Sequence, residues 1–251
     1  MHYSERHARL KLILGEEGLE KLYGSTVLVL GLGGVGSAAA EALARGGVGH
    51  LIVLDRDVVD ESNINRQALA FTSTIGKVKA DVMAGMIREI SPECEVTAVK
   101  AYLDKDDIDG VLGQFPRPDY VLDCIDTISQ KLAIAHWCAE RHIPLLSSMG
   151  AANKLDPSRL RFANIKRTLN CPMSRVIRLQ SIKRGIRGLE VLFSDEVAFK
   201  VDNPAARTKG ETLGSMSYMP PIMGQMLAGK AIRRLVGLEP FPTPPRLARA
   251  H

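Results

Sequence analysis

One segment, TVLVLGLGGVGSAAAEALARGGVGHLIVLD at residues 26–55, constrains the fold more than any other part of the chain. The run TVLVL predicts a buried strand, and the alanine-rich run that follows the glycines predicts a helix. Between them, Gly31, Gly33 and Gly36 have the G-x-G-x-x-G spacing, and a second strand ends at Asp55. The pattern indicates a βαβ unit in which a helix N-terminus, with its unpaired N–H groups, faces a phosphate.

Further helices and strands alternate along the chain. Helices are predicted at residues 16–22 and 77–90 and in SQKLAIAHWCAERH, with a short capped helix in DKDDIDGVLGQF. Strands are predicted in CEVTAVKAYL, PDYVLDCID and IPLLSSMGA. This alternation predicts the α/β class, with a doubly wound, mostly parallel sheet. We divide the chain into an N-terminal helical arm (1–24), a nucleotide-binding core (25–155) and a region (156–251) that completes the same domain.

Composition argues against several classes of protein. The 251 residues are 45% hydrophobic and 24% charged, which is ordinary for a soluble globular protein. No apolar run approaches the roughly 18 residues of a membrane span. The N-terminal stretch MHYSERHARLK has no signal-peptide core, so a cytoplasmic protein is expected. The four cysteines form no C-x-x-C pair and the six histidines no H-x-x-H pair, which argues against a disulfide framework and a zinc site.

The residues after Asp55 bear on which nucleotide the glycine-rich turn holds. The stretch DRDVVDESNINRQ is polar, and Arg66, Lys77 and Lys79 add three cations at or just beyond its end. Cations beside a glycine-rich turn suit a triphosphate better than a nicotinamide dinucleotide. ATP is therefore the predicted nucleotide, and an NAD-dependent oxidoreductase or a non-catalytic nucleotide-binding module stays as an alternative.

Two carboxylates lie at the end of a later predicted strand. The sequence VLDCIDT puts Asp123 and Asp126 at its C-terminal end, the edge where ligands bind in open α/β sheets. A carboxylate that faces a triphosphate is what Mg²⁺ needs. Asp123 serves equally well as a structural hydrogen-bonding residue, so Asp126 is the predicted Mg²⁺ ligand.

Taken in order, these motifs resemble the ThiF/MoeB/HesA family, the bacterial relatives of the ubiquitin-activating E1 enzymes. The shared features are the G-x-G-G-x-G turn, D-x-D, S-N-x-x-R-Q, a downstream G-x-x-K, the D-x-x-D strand end and the closing stretch GSMSYMPPIMGQMLAGKAIRRL. The resemblance covers residues 5 to 237. It implies a Rossmann-like, E1-type adenylation fold, a homodimer, and a reaction in which ATP adenylates a carboxylate.

The same resemblance implies roles for individual residues. Asp55 holds the ribose, and fixed cations with Mg²⁺ neutralise the charge that gathers on pentavalent phosphorus. The implied catalytic residues are Arg66, Lys79, Asp126 and, reaching the γ-phosphate in the partner subunit, Arg9. The implied nucleotide-binding residues are Gly31, Gly33, Gly34, Gly36, Asp55, Asp57, Asn63, Arg66, Gln67 and Lys79.

A basic region, residues 159–187, contains no Asp or Glu. Its cations are Arg159, Arg161, Lys166, Arg167, Arg175, Arg178, Lys183, Arg184 and Arg187. A single-signed run of this length predicts a surface for a phosphate backbone, although a merely solvated face stays open. The residues predicted to contact that backbone are Arg175, Arg178, Lys183 and Arg184. Cys171, the cysteine of this region, is expected to be an ordinary thiol.

The chain resembles one branch of the family in particular. The features that carry this resemblance are the absence of zinc-binding cysteines and the stretches SSMGAANKLDPSRLRFANI and LEVLFSDE. That branch acts on threonylcarbamoyladenosine (t6A) beside the anticodon of tRNA. The resemblance implies that ATP adenylates the threonyl carboxylate and that a nucleophile of the carbamoyl group then displaces AMP, giving cyclic t6A. Some members also work with a cysteine desulfurase and its sulfur acceptor, a partnership for which the sequence has no separate signal. The alternative is activation of the C-terminus of a ubiquitin-like sulfur carrier.

Overall fold

Seven α-helices and nine strands lie within the residues that the computed structural model describes, 5–202 and 212–248. The helices are α1 (Ala8–Tyr23), α2 (Gly34–Arg45), α3 (Lys79–Ile90), α4 (Ile108–Leu112), α5 (Ile128–Glu140), α6 (Pro172–Lys183) and α7 (Met219–Leu235). The strands are β1 (Thr26–Leu30), β2 (His50–Leu54), β3 (Glu95–Val99), β4 (Tyr120–Asp123), β5 (Leu145–Ser148), β6 (Leu160–Asn164), β7 (Ile186–Arg187), β8 (Glu190–Ser194) and β9 (Arg246–Leu247).

The main sheet has the strand order β3-β2-β1-β4-β5-β8-β6. All neighbouring pairs are parallel except β6 and β8, which are antiparallel and close one edge. The predicted doubly wound, mostly parallel sheet is confirmed. Strands from the region beyond residue 156, β6 and β8, extend the same sheet. A separate short ladder pairs β7 with β9.

Both faces of the sheet are buried, as expected of parallel strands covered by helices. Alternate residues of β1 point to opposite faces. Val27 and Val29 join the core beneath α2, α3 and α7, whereas Leu28 and Leu30 join the core beneath α4, α5 and α6. No helix of the described residues has the length and apolar character needed to cross a membrane.

Two helix boundaries differ from the sequence expectation. The first helix begins at Ala8 rather than residue 16, and a break at Gly15 (φ 69°, ψ −178°) divides it. The third begins at Lys79 rather than residue 77, because the chain before it pairs as an extended segment with residues 57–59. Val58 forms an isolated antiparallel bridge with Val78, and the Lys79 N–H donates to the carbonyl of Asp57 at 3.0 Å. This pairing determines where Lys79 lies relative to the sheet edge.

Candidate active site

A cleft of about 610 Å³ lies at the carboxyl ends of β1, β2, β4 and β5. The chain passes from β1 to β2 on one side and reaches β4 on the other, so the cleft lies at a switch point of the sheet. Ligands of open α/β sheets bind at such points, and the volume is typical of a small-molecule site. The position and size of the cleft suit a nucleotide.

Most of the predicted nucleotide-site residues meet in this cleft. Those that line it are Gly31, Gly33, Gly34, Asp55, Asp57, Asn63, Arg66, Gln67, Lys79 and Asp126. Gly36 lies beneath the turn instead, where an ideal Cβ would come within 1.7 Å of the Gly31 carbonyl oxygen. Arg9 is exposed on α1 and is not part of this wall. Gly36 therefore lets the turn pack closely, and Arg9 has no contact with the cleft of its own subunit.

Asp55 joins the end of β2 to the glycine-rich turn. Its Oδ2 accepts the N–H of Leu32 at 2.6 Å, and its Oδ1 accepts the N–H of Asp57 at 2.8 Å. The side chain is buried in the cleft wall, where two backbone donors stabilise its negative charge. Each carboxylate oxygen keeps a lone pair that a ligand hydroxyl could use.

Lys79 provides a buried cation in the cleft. Its side chain is 7% exposed, and its Nζ lies 3.4 Å from Oδ2 of Asp57, whose own side chain is 54% exposed. That distance is long for a charge-assisted hydrogen bond. A weakly held ammonium group at the first turn of a helix can turn towards a phosphate while its carbon stem stays packed.

The S-N-x-x-R-Q motif folds around a short 3-10 turn, Glu61–Asn63, that Asp60 caps. Arg66 donates through Nη1 to the carbonyl of Ser62 and to Oδ1 of Asn65, both at 2.9 Å. Gln67 is buried, and its Oε1 has no hydrogen-bond partner among the described residues. Gln67 lines the cleft, but this unpartnered oxygen is itself buried.

The two carboxylates after β4 have different environments. Asp123 is fully buried; its Oδ2 lies 3.0 Å from Nζ of Lys131 and accepts the Ser147 hydroxyl at 2.6 Å. Asp126 is exposed and lines the cleft. Asp123 is thus already neutralised inside the sheet, which supports the choice of Asp126 as the carboxylate available to a cation. No cluster of three or more His, Cys, Asp or Glu side chains suited to a metal occurs in the described chain.

Several residues of the cleft wall were not predicted from the sequence. Arg56 stacks over the ring of Tyr102, 5.0 Å from its centroid, at the rim. Residues 150–152, Met173 and residues 213–215 also line the cleft. Residues 150–152 lie at the end of the predicted strand IPLLSSMGA, and this position was a usable signal. Residues 213–215 had none, because they reach the cleft from a distant part of the chain.

Several cations of the basic region have a partner within the protein. Arg159 and Arg161 lie 2.7 and 3.6 Å from the carboxylate of Asp195, which β8 brings alongside β6. Arg178 donates to the carbonyl of Thr168 at 2.7 Å. The predicted contacts that remain exposed, without an ion pair to any described residue, are Arg175, Lys183 and Arg184.

Cys171 is the N-cap residue of α6 and is buried. Its Sγ accepts the N–H of Ser174 at 3.5 Å, which caps the helix. A second thiol, Cys124, lies in the cleft wall itself. Burial raises the pKa of Cys124 to about 12. A thiol that stays protonated is a poor nucleophile, so the environment of Cys124 does not favour covalent catalysis.

The native protein should resist alkylation at Cys124. With a pKa of about 12, its thiolate population at pH 8 is about 10³ lower than that of a free cysteine. Iodoacetamide labelling followed by peptide mass mapping should show little modification at pH 8, more as the pH rises towards 12, and full modification in urea. Labelling of the folded protein at the rate of the urea-unfolded chain would contradict this result.

Comparisons with known proteins agree with the geometry. A family model described as the ThiF family matches residues 3–251. The chain is 42% identical over 240 residues to the tRNA threonylcarbamoyladenosine dehydratase of Bacillus subtilis, covering 91% of this chain and 94% of that protein. It is 36% identical over 140 residues to the molybdopterin-synthase adenylyltransferase of Escherichia coli, covering 56% of this chain and 54% of that protein.

The fold comparison leads to the same group. The crystal structure of the E. coli tRNA N6-threonylcarbamoyladenosine dehydratase in complex with ATP superposes with a TM-score of 0.84 at 29% sequence identity, covering 95% of this chain and 98% of that one. The match therefore includes the strands and helices on both sides of the cleft. The chain belongs to the ThiF family.

Proposed function

We propose that this protein is an ATP-dependent tRNA threonylcarbamoyladenosine dehydratase that converts t6A beside the anticodon into its cyclic form. The cleft supports this best: it brings Arg66 and Lys79, the glycine-rich turn and Asp126 into one wall. Two cations, Arg66 and Lys79, and the carboxylate of Asp126 in one cleft suit a nucleoside triphosphate with its bound metal ion. The B. subtilis relative, named for this activity, aligns with nearly the whole chain.

The first chemical step is adenylation. An oxygen of the threonyl carboxylate attacks the α-phosphorus of ATP, a bond to phosphorus forms, and pyrophosphate leaves. Arg66 and Lys79 stabilise the added negative charge, and Asp55 orients the ribose. Asp126 would hold Mg²⁺, which supplies further charge neutralisation on the phosphate oxygens when bound.

The second step is ring closure. A nucleophile of the carbamoyl group attacks the activated acyl carbon, loses its proton, and expels AMP with the bonding electron pair. The nucleoside loses the elements of one water, while ATP becomes AMP and pyrophosphate. No enzyme thiol takes part, which suits the protonated state of Cys124.

The test is direct. The purified protein, ATP and Mg²⁺ are incubated with tRNA that carries t6A, and the digested nucleosides are analysed by mass spectrometry. We expect t6A to lose the mass of one water, with one AMP and one pyrophosphate released per product. Transcribed tRNA without t6A is the control. Unchanged t6A in the presence of hydrolysable ATP would refute the proposal.

Activation of a sulfur-carrier protein is the second candidate. The similarity to the molybdopterin-synthase adenylyltransferase favours it, but that alignment covers 56% of this chain against 91% for the dehydratase. Incubation with a carrier ending in Gly-Gly separates the two. Pyrophosphate release that depends on the carrier and not on t6A would favour this candidate.

The proposal includes the oligomeric state of the protein. We infer a cytoplasmic homodimer in which Arg9, exposed on α1, reaches the γ-phosphate in the partner subunit. The support is the separation of Arg9 from the wall of its own cleft, together with the family resemblance. Sedimentation equilibrium measures the mass; a monomer at the assay concentration would remove this role. Partnership with a cysteine desulfurase system stays a prediction.

The exposed cations of the basic region should contribute to tRNA affinity. Replacing Arg175, Lys183 and Arg184 together by glutamine removes charges that have no carboxylate partner among the described residues. Arg178 is left in place because it holds Thr168. The slope of log K against log salt should fall by about 0.7 to 0.9 for every phosphate that the variant no longer neutralises. Filter binding of tRNA across a salt series measures the slope.

The control is Arg161→Gln, because Arg161 lies 3.6 Å from the carboxylate of Asp195. Per charge removed, it should change the salt slope less than the triple variant, and ATP affinity should stay constant in both. An unchanged slope in the triple variant would show that these cations form only a solvated face.

A further inference from the structure

Asn153 follows β5 and has a left-handed backbone, with φ 57°. Its side chain makes two hydrogen bonds to one neighbouring segment: Oδ1 accepts the N–H of Gly214 at 2.6 Å, and Nδ2 donates to the carbonyl of Thr212 at 2.8 Å. Its backbone N–H also donates to the carbonyl of Gly214 at 2.9 Å. One asparagine thus binds residues 212–214 by three hydrogen bonds.

That segment forms part of the cleft wall. Residues 212–215, here called the strap, contribute Leu213, Gly214 and Ser215 to the wall. At its other end, Nδ2 of Asn65 donates to the carbonyl of Ser215 at 3.1 Å. The strap therefore spans from the loop after β5 to the motif that contains Arg66. Asn153 lies behind this wall and is not one of the residues that line the cleft.

The part of the cleft wall that contains the strap differs chemically from the part that contains Lys79. It consists of residues 148–152, Met173 and residues 213–215, and none of these side chains is charged. The predicted phosphate and ribose contacts are other residues of the cleft, and Asn65, which holds Ser215, is the neighbour of one of them, Arg66. An uncharged, mostly apolar wall suits the group that carries the reacting carboxylate, since that group brings hydroxyl and amide functions but no second charge.

We propose that Asn153 is a positioning residue for this reaction: by holding the strap, it sets the wall that places the substrate carboxylate against the α-phosphate. This inference rests on the proposed function. Asn153 acts through the strap and touches neither ATP nor the substrate. Small errors in the placement of reacting atoms cost large factors in rate, up to about 10²-fold for a shift near 1 Å.

Mutation can separate two features of Asn153, its side-chain amide and its left-handed backbone conformation. Glycine adopts a positive φ without strain but has no amide, so Asn153→Gly removes only the two side-chain bonds. Alanine lacks the amide and is also strained at this φ, so Asn153→Ala removes both.

Steady-state kinetics with t6A-bearing tRNA, together with binding of radiolabelled ATP, test the proposal. For Asn153→Gly we expect kcat to fall about 10-fold or more, with ATP affinity within about twofold of the wild type. Hydrogen exchange in a peptide spanning the strap should become faster in the free protein, because the Gly214 N–H loses its acceptor.

Three results would overturn the proposal. Wild-type kcat in Asn153→Gly, with only Asn153→Ala impaired, would show that the backbone conformation alone matters. An equal loss of ATP affinity would assign the residue to the nucleotide instead. Unchanged strap exchange would show that Asn153 does not hold the segment. If the wild-type protein leaves t6A unmodified, the proposed function fails and the positioning role fails with it, an outcome distinct from a variant-specific loss.

Discussion

Replacing Lys79 by alanine is expected to lower turnover by about 10²-fold or more. The ammonium group is a buried cation in the cleft wall, and its loss removes stabilisation from the transition state, where charge gathers on phosphorus. Asp126→Ala should cause a loss of similar size by removing the carboxylate assigned to Mg²⁺. Pyrophosphate release under saturating ATP and t6A-bearing tRNA measures both effects.

Lys77→Ala is the matched control. Lys77 lies two residues away, carries the same charge, and is exposed outside the cleft, so its loss should leave the rate within about twofold. Folding of the Lys79 variant should be preserved, because its partner Asp57 is more than half exposed and regains water. Wild-type rates in both Lys79→Ala and Asp126→Ala would remove these residues from the catalytic machinery.

Gly36→Ala is expected to destabilise the protein by about 3 kcal/mol. An ideal Cβ at this position would lie 1.7 Å from the carbonyl oxygen and 2.9 Å from the carbonyl carbon of Gly31. Both atoms are backbone, so relief requires the glycine-rich turn to move away from α2. ATP affinity should fall with the stability, because the turn is the predicted phosphate contact. Urea unfolding and ATP binding give the two readouts.

The Gly33→Ala variant separates the effect of close packing on stability from the effect of the turn on ATP binding. An ideal Cβ there meets no atom within 4 Å, so the folded state has room for it. Its stability should fall by about 1 kcal/mol at most, the cost of a poorer N-cap for α2. Because Gly33 lines the cleft, ATP binding is still expected to weaken. A Gly36 variant as stable as the Gly33 variant would disprove the close-approach argument.

The nucleotide cleft could be predicted from sequence because its parts are short motifs at strand ends. The turn of Gly31 and Gly33, the carboxylate of Asp55 and the cation of Lys79 each follow a recognisable strand or begin a helix. Parallel strands bring their carboxyl ends to one edge, so local patterns were enough to predict that these residues converge. The family resemblance rested on the same local motifs, and the whole-chain match is consistent with it.

Other features depended on contacts between distant parts of the chain. Sequence favoured Asp126 over Asp123 without showing their environments, and the fold buries Asp123 against Lys131 while it leaves Asp126 in the cleft. The basic region looked uniformly charged, yet the antiparallel pairing of β6 with β8 brings Asp195 to Arg159.

Residue patterns and the family resemblance were enough to predict the fold class and a set of residues that the structure brings into one cleft, since these depend on spacing within single elements. Which charges are neutralised, and which distant segment forms part of the cleft wall, became known only from the folded chain. Asn153 and Gly214 are 61 residues apart, and no local pattern relates them. Their hydrogen bond forms because the fold brings the chain after β5 beside the segment that leads into α7, a proximity that depends on the order of strands in the sheet and not on any local pattern.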